Sequence, residues 1–155
     1  MLYIGADHRG YNLKDKIKNW LTASQVEFKD IGASALIPDD DYPDYAKVVG
    51  REVAKDPKHC VGLVICGSGV GVSVVANKFP RVRCGLVFTP EMARAAKADD
   101  NINVLAIASD FTPEEEALKI IETWLNTKLK SEEKYNRRIK KIEIIEDELK
   151  SKNHF

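Results

Sequence analysis

Short apolar runs alternate with helix-period segments from one end of the chain to the other, and few architectures absorb that pattern. Runs over Leu2–Ala6, Val26–Ile31, Val61–Cys66, Val82–Phe88 and Asn103–Ile107 have the length of strands. Val61 to Ile65 is unbroken by polar residues, as in a parallel strand covered on both faces. Between the first two runs, Leu13, Ile17, Trp20 and Leu21 recur at helical spacing and predict one buried stripe. A second helix is predicted from Pro43 through Ala46, Val49 and Val53, a third after the glycines at 67–71 and ending near Phe79, and a fourth from Pro90 to about Asp99. Thr112-Pro113-Glu114-Glu115 predicts a fifth, with the Thr112 hydroxyl as cap, and Ala117, Ile121, Trp124 and Leu125 facing inward. The expected fold class is α/β: a three-layer α/β/α, Rossmann-like domain around a five-stranded parallel sheet. A charged C-terminal helix follows over Ser131–Lys150, with Tyr135, Ile139, Ile142, Ile145 and Leu149 on one stripe. One domain is expected over residues 1–150, with 151–155 fraying.

In such sheets ligands bind beyond the carboxyl ends of the strands. Three segments are assigned there: Asp7-His8, Cys66-Gly67-Ser68, and Asp99 to Asn101. The middle one carries the chemistry. Cys66 leads into Gly67-Ser68-Gly69-Val70-Gly71, where glycines let backbone N–H groups converge at a helix start and form an anion site. A thiol on that rim is favoured as thiolate. A dinucleotide fingerprint and a cysteine-phosphatase loop both fail at Val72, which would have to be glycine for one and arginine for the other. Cys60 and Cys84, inside strand patterns, read as packing residues, while Ser68 suits both a helix cap and a role in the site.

Composition narrows the partners. Lysine plus arginine equals aspartate plus glutamate at 24 each, so net charge gives no field for nucleic acid. No apolar run approaches the length of a bilayer span, and the N-terminal residues show no charged leader, so the expectation is a cytoplasmic protein without a membrane partner. Three cysteines without a CxxC pair predict neither a disulfide framework nor a metal site. Asp39-Asp40-Asp41 reads as a solvated loop, and His59 and His154 as solvent-facing.

Several motifs stand in register: Gly5-Ala6-Asp7-His8-Arg9-Gly10, Asp41-Tyr42-Pro43, Ile65 to Gly71, Ala76-Asn77-Lys78-Phe79 and Asn103-Val104-Leu105. In these the chain resembles ribose-5-phosphate isomerase type B, grouped with the galactose-6-phosphate isomerase subunits, over nearly its whole length. The resemblance implies a metal-free, cofactor-free aldose–ketose isomerase acting through a cis-enediolate. Cys66 would be the base, Ser68 would assist it, and the amides of Gly67, Gly69, Val70 and Gly71 would hold the oxyanion. Asp7, His8 and Tyr42 would contact the sugar and its phosphate, and Lys134 and Arg138 would bind phosphate. A homodimer or dimer of dimers, with sites built across the interface, is implied as well.

The chain departs from the family pattern in places. Asp99-Asp100 stand where His-Asn is usual, the histidine being assigned to ring opening; Asp110 stands for an arginine, and Lys134 for the first arginine of an R-H-x-x-R motif. Asp99 thereby becomes the candidate for ring opening and Asp100 a substrate-side carboxylate. A phosphate would face up to three added carboxylates, and Asp99, Asp100 and Asp110 could together hold a cation. The alternative function is a catalytically weak, sugar-phosphate-binding partner subunit of a hetero-oligomeric isomerase.

Overall fold

A computed structural model describes residues 1–151. Five parallel strands, β1 (Leu2–Ala6), β2 (Phe28–Asp30), β3 (Val61–Cys66), β4 (Cys84–Leu86) and β5 (Val104–Ala108), form one sheet in the order β2-β1-β3-β5-β4. The helices are α1 (Tyr11–Ala23), α2 (Tyr42–Lys55), α3 (Val70–Ala76), α4 (Pro90–Asp100), α5 (Glu114–Asn126) and α6 (Glu133–Ser151). The expected α/β/α layering is the one observed.

Alternation along the central strands builds the two cores. Leu63, Ile65, Leu105 and Ile107 point to one face and pack with Ile17 and Leu21 of α1, Ala93 of α4 and Ile120, Ile121 and Trp124 of α5. Val64, Cys66, Val104 and Ala106 point to the other and pack with Ala46, Val49 and Val53 of α2 and Val72 and Ala76 of α3. The unbroken apolar run of β3 is the consequence of serving both.

The edges differ from expectation. β2 covers only Phe28–Asp30 of the predicted Val26–Ile31, because Val26 N–H still closes the end of α1 on Leu21 O at 2.9 Å. β4 covers Cys84–Leu86 of Val82–Phe88, and α3 stops at Ala76, short of Phe79. α2 starts one residue earlier than Pro43, at Tyr42. Thr112 does not cap α5: Pro113 is extended at ψ 151, the helix begins at Glu114, and the Thr112 hydroxyl is buried without a partner among the described residues. Ser151, expected to fray, is the last helical residue of α6; His154 and the rest of the tail lie outside the described residues.

α6 follows its predicted stripe only at the start. Tyr135 and Ile139 are buried, whereas Ile142, Ile145 and Leu149 are 44%, 57% and 60% exposed. The second half of α6 is instead tethered electrostatically. Arg81 donates its backbone N–H to Glu146 at 2.7 Å and its Nη2 to Asp147 at 2.6 Å.

Candidate active site

β3 ends on Cys66, and the chain turns at once into α3. Gly69 makes that turn in the left-handed region, at φ +72, where a side chain would also strike Leu86. Cys66 O accepts hydrogen bonds from Ser109 N at 3.0 Å and Ser109 Oγ at 3.1 Å, and Gly67 O accepts from Asp110 N at 3.0 Å. Ser109 Oγ also lies 3.1 Å from Arg9 O. One serine thus laces together the loops that follow β1, β3 and β5. Ser68 is exposed, and its Oγ accepts a long 3.4 Å bond from Val70 N, a weak cap that leaves the hydroxyl open to a ligand.

Cys66 itself is 4% exposed and packs in the α2-side core with Ala46, Val49 and Val72. Two long, exposed side chains lie over the adjacent loop. The Arg9 guanidinium rests against Gly67, and the Tyr42 ring against Gly71, where an added Cβ would meet its Cζ at 2.5 Å. Glycine at these positions is what lets both side chains close on the backbone.

Asp7 is buried and accepts the Gly10 N–H at 2.9 Å, closing the turn into α1. His8 follows it, and its backbone N and ring Nδ1 each lie 2.8 Å from Asp40 Oδ1. A carboxylate can only accept, so Nδ1 carries the proton and Nε2 is the edge left for a ligand. The Asp40 hydrogen bond raises the pKa of His8 and favours imidazolium. Burial pushes Asp40 upward, but the His8 hydrogen bonds outweigh it and hold the carboxyl below its ordinary value. The solvated-loop reading of Asp39-Asp40-Asp41 is therefore corrected at Asp40, whose side chain is 7% exposed. Nothing in three consecutive aspartates marks which one turns inward.

Arg9, carried in the Gly5–Gly10 motif but given no role there, also stands at this loop. Its guanidinium forms an ion pair with Asp110, so that carboxylate does not confront a bound anion uncompensated. Arginine and acid stand on neighbouring loops, a juxtaposition the sequence does not display.

The other expected residues lie elsewhere. α4 runs antiparallel to the strands, so Asp99, Asp100 and Asn101 sit at the amino end of the sheet, and their assignment to the carboxyl end is wrong within one chain. Asn101 shares a cavity wall with Val61, the first residue of β3, which places it about 16 Å along that strand from Cys66. Asp99 is paired with Lys130 Nζ at 2.7 Å, and Lys130 also donates to Tyr135 OH at 3.1 Å; both bonds raise the Lys130 pKa. Lys130, Lys134 and Arg138 stand 4.8, 4.9 and 5.9 Å from the ring centre of buried Tyr135. Asp100 is exposed, and its carbonyl accepts from Arg83 Nε at 3.1 Å. Asp7, His8, Tyr42, Cys66, Gly67, Ser68, Gly69, Val70 and Gly71 thus gather at one pole, and Asp99, Asp100, Lys134 and Arg138 at the other. Asp110 stands at the first pole, which removes the joint cation site with Asp99 and Asp100. Elsewhere, burial pushes the Cys84 thiol up to about 12, as a packing residue requires, and His59 is exposed.

Residues 2–142 match the family described as Ribose/Galactose Isomerase. A probable ribose-5-phosphate isomerase B of Mycoplasma genitalium is 37% identical over 141 residues, covering 91% of this chain and 92% of the relative. The crystal structure of ribose-5-phosphate isomerase B from Mycoplasma genitalium with bound ribulose-5-phosphate superposes with a TM-score of 0.92 at 37% identity, over 95% of this chain and 96% of that one. The Clostridium thermocellum ribose-5-phosphate isomerase B gives 0.90 at 34%, over 96% and 98%. The family match over residues 2–142 and a relative 37% identical over 91% of this chain agree with the likeness in fold: the chain belongs to the ribose/galactose isomerase family.

Proposed function

We propose that this chain interconverts a phosphorylated aldose and its ketose, ribose 5-phosphate and ribulose 5-phosphate or a related hexose 6-phosphate, through a cis-enediolate. The observation that carries the reading is the intact Cys66–Gly71 loop at the carboxyl end of β3, in a chain that matches a probable ribose-5-phosphate isomerase B over 91% of its length. In the aldose-to-ketose direction the Cys66 thiolate takes the C2 proton and returns it to C1, while the carbonyl oxygen becomes a hydroxyl and the C2 hydroxyl a carbonyl. The N–H groups of Gly67, Gly69, Val70 and Gly71 stabilise the enediolate oxygen, and Ser68 assists the sulfur. The substrate reaches this loop by displacing the exposed Arg9 and Tyr42 side chains. Protonated His8, steadied by Asp40, takes the phosphate with Arg9, while Asp7 and Tyr42 orient the sugar. No step in this reading uses a metal or other cofactor.

Asp99, Asp100, Lys134 and Arg138 enter the same site from a second copy of the chain. Asp99 accepts the anomeric proton during ring opening, with its carboxylate held in place by Lys130 Nζ at 2.7 Å. Aspartate at this position also favours the second reading, a partner subunit with weak turnover, because a carboxylate has no proton to give to the ring oxygen.

One panel of pentose 5-phosphates and hexose 6-phosphates, read by deuterium wash-in at C2, decides between the readings. Cys66→Ala should lose on the order of 10²–10⁴ in rate with substrate binding retained, since a base acts mainly in the transition state. Wild-type protein that washes no deuterium into any substrate would leave only the partner-subunit reading. Asp99→Asn should slow turnover of sugars that close into rings and spare an open-chain four-carbon analogue; equal effects on both would remove Asp99 from ring opening.

A further inference from the structure

The amino end of the sheet holds a cavity of about 510 Å³, within the size range of organic-ligand pockets (~300–1,000 Å³) and far too large for a single ion. Val61, Leu129 and Ile139 give it an apolar floor, and its walls carry Lys58, Arg81, Arg83 and Lys97 against the one carboxylate of Glu143. Arg81 is paired with Glu143, Glu146 and Asp147, but Lys58, Arg83 and Lys97, gathered by the fold from three separate segments of a chain of zero net charge, remain a local excess of cations.

Their hydrogen bonding leaves that excess standing. Arg83 gives Nε and Nη2 to the carbonyls of Asp100 and Asn101, at 3.1 and 3.0 Å, and Lys97 gives Nζ to Ile102 O at 3.1 Å. These are neutral acceptors, and neither cation, nor Lys58, has a carboxylate in ion-pair contact among the described residues. Arg81 is ion-paired with Glu143, Glu146 and Asp147, but its buried Nη1, 3.6 Å from Glu143, has no hydrogen-bond partner among the described residues. Asn101 and Asn136 add neutral polar groups to the wall.

We propose that this cavity is a second ligand site, distinct from the one at Cys66, and that it binds a small phosphorylated organic anion. The phosphate supplies the missing counter-charge to Lys58, Arg83 and Lys97 and an acceptor for Arg81 Nη1, and the apolar floor takes the ligand's carbon skeleton. The site is placed to act on the reaction. Lys97 and Asn101 flank Asp99 in sequence, and Ile139 follows Arg138, so an anion bridging α4 and α6 fixes the elements that present the second group of site residues.

The test uses the full chain and inorganic pyrophosphate as probe, titrated calorimetrically. Lys134→Ala/Arg138→Ala serves as the background in which the phosphate contacts of the proposed active site are weakened. Saturable binding is expected in wild type and in that background. Lys58→Glu, an exposed change outside the core, should weaken it at least about tenfold, and Lys97→Met should abolish it. Affinity unchanged in Lys58→Glu, loss of all binding in the Lys134/Arg138 background, or no heat up to about 10 mM pyrophosphate would each overturn the proposal. Should Lys97→Met fail to fold, Lys58→Glu alone decides. A nucleoside monophosphate that binds more tightly than pyrophosphate would support the role given to the apolar floor, and one that cannot displace pyrophosphate would overturn it.

Discussion

At the scale of single residues, the arrangement that most affects the chemistry is His8 against Asp40. The imidazole pKa is raised by the hydrogen bond it donates to its carboxylate partner, and that of Asp40 is lowered, burial notwithstanding, by the two bonds it accepts from His8. The sign follows directly. A raised His8 contributes stability and positive charge fully below its unfolded pKa of about 6.5, and both are lost as pH rises through its folded value. A lowered Asp40 contributes above the ordinary carboxylate value and is lost as pH falls through its folded value. The ion pair therefore operates between those two limits. Asp40→Asn should lower the His8 pKa, seen as an earlier midpoint for its imidazole Cε1 proton in an NMR titration. The alkaline fall in kcat/KM should move to lower pH with it. An unmoved midpoint would mean that Asp40 merely shapes the loop. None of this pairing could be read from the chain, where Asp40 is one acid among three and thirty-two positions from its partner.

At the scale of elements, β1, β3 and β5 and the helices packed on them were legible, because apolar period is imposed by burial on a sheet with two covered faces. The edge strands were overdrawn: an edge strand has one partner, and hydrogen bonding rather than hydrophobicity decides where it stops. The stripe of α6 is legible too, but the sequence does not say what covers it, its own domain or a second subunit; Ile142, Ile145 and Leu149 repeat as core residues do and yet stay exposed. α1 holds a position of the converse kind. Lys14 looks like a solvent position, but it is 1% exposed, with Nζ 2.9 Å from both oxygens of Asp30 and 2.6 Å from Ala33 O. Lys18 adds a contact to Asp30 at 2.8 Å. This cluster fastens α1 to β2 and to the start of the loop that carries Asp40. Asp30→Ala leaves the Lys14 charge buried and should cost about 3 kcal/mol in urea unfolding, the low end for breaking a buried pair because Asp30 keeps some exposure. Burial raises the Asp30 pKa, but Lys18, Lys14 and the Gly32 N–H prevail and lower it. The stability it confers is present above the unfolded carboxylate value and lost as pH falls through the folded one. The gap between wild type and Asp30→Ala should therefore be wide at pH 7 and close in strong acid; a gap independent of pH would assign the loss to packing instead.

At the scale of the molecule, the decisive fact is that residues pointing to one chemistry sit at two poles. Cys66, with its glycine loop, His8 and Tyr42, lies at the carboxyl end of the sheet. Asp99, Lys134 and Arg138 lie at the amino end, separated by about the length of β3, some 16 Å. No side-chain rotation closes that gap, so a single chain cannot assemble all of them around one sugar phosphate. A two-fold dimer can, because an isologous interface sets the carboxyl end of one copy against the amino end of the other and builds two identical composite sites. The apolar residues that α6 leaves uncovered, Ile142, Ile145 and Leu149, are on the helix that such an interface would have to include. The arrangement makes a quantitative prediction. Cys66→Ala and Arg138→Ala should each be nearly inactive alone. When the two are unfolded together and refolded at equal concentration, half of the dimers are mixed, and each mixed dimer carries one site with both lesions and one with neither. Activity should return to about a quarter of the wild-type value per chain. Two sites each built within one chain would give no recovery, because every site would still carry one lesion. Recovery near a quarter, together with a concentration dependence of the specific activity, would establish that the poles meet across copies.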